Sequence, residues 1–234
     1  MLARRAEGFY NLGVPRNFTF ATLPNAITAS RLGLAPLALG GLVAASPSGI
    51  DLHNPADLHA GWLALVLVTL VLAEISDGVD GAVARRMGAT SDVGKLLDPL
   101  ADSIFRFFVF LGFFAAGWIP LWMVTVFFVR DLVVAYLRVF AALQQVVLAA
   151  RKSGKIKAVV QATAQIATVV FAIVECMGWS ERVVGVHLPV AILCQVLVGL
   201  AVVVTAWSAV DYARHVFGGL AVDTEASDPP TRDG

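Results

Sequence analysis

Charge is scarce in this chain. Only 15% of its 234 residues are Asp, Glu, Lys or Arg, and 58% are apolar; soluble domains carry about 25% charged residues. That is too little charge to coat a soluble globule of this size, which excludes an ordinary soluble enzyme. The apolar excess also excludes a disordered chain. No sign of charge dominates, because 17 basic residues balance 17 acidic ones, so nothing points to a nucleic-acid partner. Cysteine is nearly missing. Cys176 and Cys194 both lie in apolar runs, which excludes a disulfide framework and reads as small apolar filler. The N-terminus does not read as a secretory signal, because Arg4 and Arg5 are followed by Ala6, Glu7 and Gly8 and not by an apolar core.

Long apolar runs take the place of charge. A membrane-spanning helix needs about 20 mostly apolar residues, and six runs qualify, at roughly 24–45, 61–84, 95–118, 120–149, 156–178 and 186–213. The expected fold is an all-α integral membrane protein of six transmembrane helices with an N-terminal interfacial segment. Residues 1–20 mix Leu2, Phe9, Tyr10 and Phe18 with Arg4, Arg5 and Arg16 and read as that segment. Residues 21–217 form one helical domain, and 218–234 an acidic, disordered tail. Six spans place Arg85, Arg86, Lys95, Arg151, Lys152, Lys155, Lys157 and the N-terminal arginines on one side, and Arg182 alone on the other. By the positive-inside bias both termini are cytoplasmic and the protein is multi-pass in the cell membrane. Trp62, Trp118, Trp122, Trp179 and Trp207 mostly fall near span ends, as interfacial aromatics do.

Against that background the charges inside the spans stand out. Each costs about 2.5–3.5 kcal/mol on insertion scales and defaults to a functional role. Asp77 and Asp80 are three residues apart, and Asp98 and Asp102 four apart, so each pair shares a helix face. Two antiparallel helices joined by a short turn would bring the pairs face to face. Four carboxylates in one place cannot all ionise without cations, and an all-oxygen set suits hard divalent ions, Mg²⁺ or Mn²⁺. Pairing to Arg85, Arg106 or Arg130 accounts for one carboxylate, not for four. Gly81 and Gly94 allow close backbone approach, and Arg85 suits bidentate phosphate binding.

The run Asp77, Asp80, Gly81, Ala84, Arg85, Gly94, Asp98, Asp102 resembles the CDP-alcohol phosphotransferase signature, D-x2-D-G-x2-A-R-x8-G-x3-D-x3-D, matching all eight fixed positions across 26 residues. The resemblance extends over about residues 20–215. It implies transfer of a phosphatidyl or similar group from a CDP-linked donor to an alcohol, releasing CMP, in a membrane homodimer with two metal ions facing the cytoplasm. It also implies that Asp77, Asp80, Asp98 and Asp102 hold metal and that Asp102 acts as general base. Gly81, Arg85 and Gly94, with Asn25, Thr28 and Arg31, would line the cytidine diphosphate.

Within the family, Leu23-Pro24-Asn25 through Thr28 to Arg31 and the run Leu97 to Asp102 resemble the phosphatidylglycerolphosphate synthase branch. That resemblance implies CDP-diacylglycerol as donor and sn-glycerol 3-phosphate as acceptor. Arg130, Arg138, Lys155 and Lys157 are the expected acceptor-phosphate ligands, since a dianion wants Arg and Lys. Ser103, Asp131 and Ala158 stand where those synthases usually carry lysine, glutamate and threonine. An inositol phosphate acceptor is the runner-up, serine comes third, and a cation carrier is the reading from another class. A carrier needs charges near the midplane, whereas these aspartates cluster at the ends of the second and third spans. An inactive relative is opposed by the four intact aspartates.

Overall fold

The computed structural model describes residues 23–46, 58–87, 92–143, 152–178, 182 and 190–226. Side chains are described over narrower stretches, excluding 23–27, 80–87, 92–97, 141–143, 152, 190–191 and 218–226. Six helices make up these residues: α1 (Leu23–Ala45), α2 (Ala60–Met87), α3 (Asp92–Ala115), α4 (Leu121–Leu143), α5 (Lys152–Cys176) and α6 (Val190–Ala226). The described residues contain no strand.

Four helices hold stretches long and apolar enough to cross a membrane: Thr28–Ala45, Ala60–Val79, Ser153–Cys176 and Ile192–Phe217. α3 and α4 lack a comparably uncharged stretch because Asp98, Asp102 and Arg106 lie in one, and Arg130, Asp131 and Arg138 in the other. The molecule is turned inside out relative to a soluble protein. Large apolar side chains such as Ile75, Val159, Leu200 and Val203 are exposed, while Arg31, Arg106, Arg130, Lys157, Gln161 and Gln165 are buried. Burial of charge against an apolar exterior is the membrane pattern.

α1 packs against both α2 and α3, and α6 against both α4 and α5. α2 and α3 each also pack on α5, and α3 on α4. The core follows helical spacing. Ala35, Ala38, Leu42 and Ala45 of α1 meet Leu63, Val66 and Leu70 of α2 and Phe105, Val109, Phe110 and Phe113 of α3 in one buried cluster. Small residues let α1 approach closely. A Cβ on Gly112 would lie 2.5 Å from Leu42 Cδ1. Phe110 stacks on Phe127 with ring centroids 4.0 Å apart, which joins α3 to α4.

The α3–α4 corner closes in a left-handed cap. Gly117 has φ 77°, its N–H donates to Phe114 O at 2.9 Å, and the Trp118 N–H donates to Phe113 O at 2.8 Å. This is the double bond pattern of a Schellman end, which favours glycine at that position. The usual apolar contact accompanies it, with Trp118 stacked on Phe113 at 5.4 Å. Trp118 is fully buried, so it is a capping and core residue and not the interfacial aromatic that its place at a span end suggests.

The last helix also departs from expectation. α6 continues to Ala226, so the first half of the segment 218–234 is helical and not disordered. Gly218 and Gly219 weaken a helix without stopping it, and no proline intervenes before Pro229. Residues 1–22, 47–57 and 227–234, with the interfacial segment and the remaining tail, lie outside the described residues.

Candidate functional site

Of the charges singled out in the sequence, Arg31, Arg106, Arg130 and Lys157 are buried, with partners that sequence spacing did not reveal. Arg31, on the buried face of α1, is 1% exposed. Its Nη1 donates to Asp77 Oδ1 at 2.8 Å, and its Nη2 donates to Asp98 Oδ1 at 2.8 Å. One guanidinium thus joins α2 and α3. Asp77 of α2 and Asp98 of α3 are bridged through an arginine of a third helix, a partner that their spacing did not reveal. α1 packs against both partners, so its arginine reaches both.

Asp102 accepts a hydrogen bond from Arg106 Nε at 2.8 Å, one turn away on α3. Arg106 also approaches Glu74 Oε1 of α2 at 3.5 Å and donates through Nη1 to the Ala158 carbonyl of α5. Gln165 of α5 in turn donates to the Arg106 carbonyl at 3.0 Å. Arg106 therefore ties α2, α3 and α5 around Asp102. Three of the signature carboxylates are ion-paired to arginine, where pairing had been expected to account for only one. Arg31, which makes two of these pairs, was expected on the cytidine diphosphate and not on the acids.

A second cluster lies between α4, α5 and α6. Asp131 Oδ1 accepts from Arg130 Nη1 at 2.9 Å and from Lys157 Nζ at 2.6 Å. Arg130 Nε donates to Ser208 Oγ at 3.0 Å. Gln161, one turn after Lys157, donates to Thr205 Oγ1 at 3.0 Å. Of the four residues expected to bind acceptor phosphate, Arg130 and Lys157 come together. Lys155 is exposed on another face of α5, because residues two apart on a helix point about 160° away from each other. Arg138 lies with its guanidinium carbon 5.7 Å from the centroid of the Tyr212 ring, two turns along α4 from Arg130.

Thr28 is buried on α1. Asn25, Asp80, Gly81, Arg85 and Gly94 fall on described helical backbone, but their surroundings lie outside the described residues. Among the described residues no three acidic, His or Cys side chains converge as a metal-holding group, and Asp80 is not among them. The described donors still suit a hard cation. Asp77 and Asp98 meet at one point with side chains 45% and 48% exposed, and they offer only oxygen.

Sequence reasoning missed Glu74, Gln165, Thr205 and Ser208. A usable signal was present for Glu74, an acid three residues before Asp77 inside an apolar run. For the uncharged three no signal was present, because their partners are distant in sequence.

A family model described as CDP-alcohol phosphatidyltransferase matches residues 21–210. A Mycoplasma genitalium protein named CDP-diacylglycerol–glycerol-3-phosphate 3-phosphatidyltransferase is 33% identical over 153 residues, covering 63% of this chain and 62% of that protein. A Bacillus subtilis protein of the same name is 33% identical over 135 residues, 58% of this chain and 69% of that one. A Streptomyces coelicolor protein named cardiolipin synthase (CMP-forming) is 33% identical over 110 residues, 47% and 46% of the two chains. The chain thus spans about three fifths of the length of the Mycoplasma relative. The family match runs from the start of α1 almost to the end of the apolar part of α6, and on that match the chain belongs to the CDP-alcohol phosphatidyltransferase family.

Proposed function

We propose that this protein transfers the phosphatidyl group of CDP-diacylglycerol to sn-glycerol 3-phosphate, releasing CMP and forming phosphatidylglycerol phosphate. The observation that carries the reading is the convergence of Asp77 and Asp98, 21 residues apart in one signature, on the one buried guanidinium of Arg31. The names of the Mycoplasma and Bacillus relatives support the choice of substrates.

Asp77, Asp80, Asp98 and Asp102 are the residues to hold two divalent ions, Mg²⁺ or Mn²⁺, whose chemistry is to neutralise charge on the diphosphate and on departing CMP. The acceptor hydroxyl oxygen attacks the phosphorus that bears diacylglycerol. The bond from that phosphorus to the CMP oxygen breaks, and Asp102 takes the hydroxyl proton. Arg106 holds Asp102 in place. Arg130 and Lys157 take the acceptor phosphate, with Arg138 further along α4. Gly81, Arg85, Gly94, Asn25 and Thr28 line the cytidine diphosphate. The protein sits in the cell membrane as a homodimer with six spans, both termini and the site on the cytoplasmic side. Residues 21–217 form its catalytic domain.

The test is CMP release from CDP-diacylglycerol and Mg²⁺ by the purified chain. Parallel reactions contain glycerol 3-phosphate, inositol phosphate, serine, phosphatidylglycerol or no acceptor. Release only with glycerol 3-phosphate, reduced about 10²-fold or more in Asp102→Asn, is the expected result. Release only with another acceptor moves the substrate and keeps the chemistry. No release with any of them removes the reading.

A further inference from the structure

The position of Arg31 raises a question that the proposed chemistry leaves open. Carboxylates of like charge brought together resist ionisation unless a cation lies between them. Here that cation belongs to the chain itself. The guanidinium is 1% exposed, and its two terminal nitrogens each hold one carboxylate at 2.8 Å, Asp77 from α2 and Asp98 from α3. An arginine serving only to tie helices needs one carboxylate. This one takes two, both from the signature, and leaves both side chains about half exposed.

We propose that Arg31 is the resident counter-cation of the metal site: it neutralises Asp77 and Asp98 before metal arrives, so that the site is preformed without metal and metal binds it less tightly than two free carboxylates would. The proposal rests on the reading that Asp77 and Asp98 hold metal. It makes Arg31 a positioning residue whose charge is traded against that of the incoming ion. Two consequences follow from linkage. With Arg31 present, the fold depends little on divalent metal. Without its charge, metal binds more tightly and the fold becomes metal-dependent, because a ligand that binds only the folded form stabilises it by an amount that rises with the logarithm of its affinity.

The experiment compares the full-length wild type with Arg31→Gln, Arg31→Met and Arg31→Lys in detergent. Mn²⁺ affinity is read from the electron paramagnetic resonance signal of free Mn²⁺, and Tm is measured in EDTA and in saturating Mg²⁺. Arg31→Gln is expected to bind Mn²⁺ about tenfold more tightly than wild type, since a neighbouring positive charge is removed. Its Tm is expected below that of wild type in EDTA, with most of the gap closed by Mg²⁺. An affinity that is unchanged or weaker, or a Tm deficit equal with and without metal, overturns the proposal and leaves Arg31 a plain helix tie. Should Arg31→Gln not fold, Arg31→Met decides, since it keeps the apolar stem and removes the charge: tighter Mn²⁺ binding supports the proposal and equal or weaker binding overturns it. Arg31→Lys keeps the charge and is expected to bind Mn²⁺ about as wild type does; binding about tenfold tighter there would overturn the role given to the charge.

CMP release by wild type separates the two readings. Release without tighter Mn²⁺ binding in the uncharged variant overturns the counter-cation role alone. Tighter binding without release overturns the substrate reading alone. A wild type that binds no Mn²⁺ removes the metal site and this proposal together.

Discussion

The two ion clusters of the interior are opposites in charge. At one, Arg31 of α1 sits between Asp77 and Asp98; at the other, Asp131 of α4 sits between Arg130 and Lys157. Both satisfy buried charge by pairing, which an apolar surrounding requires. The first leaves one negative charge in surplus among its named groups, and the second one positive. In the acid cluster the buried member is the central arginine, and the carboxylates in surplus are half exposed. In the basic cluster the surplus cations are themselves buried, and the central Asp131 side chain is 20% exposed. The acid cluster is therefore open to an arriving cation. The basic cluster is closed by its own carboxylate, and an anion gains Arg130 and Lys157 only by taking the place of Asp131.

The most direct way to break this comparison is to change the basic cluster one charge at a time. Arg130→Gln and Lys157→Gln are each expected to raise the KM for glycerol 3-phosphate roughly ten- to hundredfold, the worth of one charge-assisted hydrogen bond. The KM for CDP-diacylglycerol should stay nearly unchanged. Asp131→Asn is expected to move the acceptor KM the other way, because it removes the anion that competes for both cations. Steady-state kinetics with each substrate varied in turn checks all three. A rise of acceptor KM in Asp131→Asn would show that the carboxylate positions Lys157 instead of competing with the substrate.

How much of this was legible in the sequence depends on the distance between partners. The helices were legible, because each is an apolar run long enough to identify by itself, and α2 and α5 begin and end within a few residues of expectation. The signature residues were legible as a group, because their spacing is local. Arg31 was legible only through the resemblance, as a residue lining the cytidine diphosphate, and not as the partner of Asp77 and Asp98, which lie 46 and 67 residues away. Only the packing of α1 against both α2 and α3 brings them together. Asp131 was visible as a departure from the resembled pattern, and its adjacency to Arg130 made that pair foreseeable. Its second bond, to Lys157 on another helix, was not. Trp118 was misjudged for a similar reason. Its place after a span suggested the interface, while its actual surroundings come from the turn at Gly117.

The acid cluster can be disturbed without touching a charge. Leu42 of α1 faces Gly112 of α3, and a Cβ there would lie 2.5 Å from Leu42 Cδ1 and 3.2 Å from Leu42 Cβ. The δ-carbon can swing away, but the β-carbon moves only with the helix. Gly112→Ala is therefore expected to cost about 1–3 kcal/mol, typical of overpacking in a tight core, and to push α1 away from α3. At the neighbouring Gly41 the nearest atom is the Val66 Cγ2 tip at 2.7 Å, with no other side-chain atom of Val66 within 4 Å, so Gly41→Ala should cost less. Thermal unfolding in matched detergent ranks the two. Equal costs would mean that α1 does not depend on close approach to α3 for its position.

The smallest effect is expected at Lys155, and it sharpens the contrast between a charge that is merely near the membrane surface and one that is built into a pocket. Lys155 and Lys157 are two residues apart on α5, yet Lys157 is buried against Asp131 and Lys155 is exposed. An exposed ammonium acts on a phosphate only through solvent, where salt at about 0.15 M screens charge beyond roughly 8 Å. Lys155→Ala should therefore raise the acceptor KM by less than about threefold at low salt, since solvent-exposed charge pairs contribute little, and by nothing measurable at high salt. The Lys157→Gln effect should persist at both. Measuring KM for glycerol 3-phosphate across an ionic-strength series separates the two lysines by slope as well as by size. A tenfold rise for Lys155→Ala that survives high salt would place that ammonium against the substrate phosphate and would make the surface of α5, not its buried face, the acceptor side.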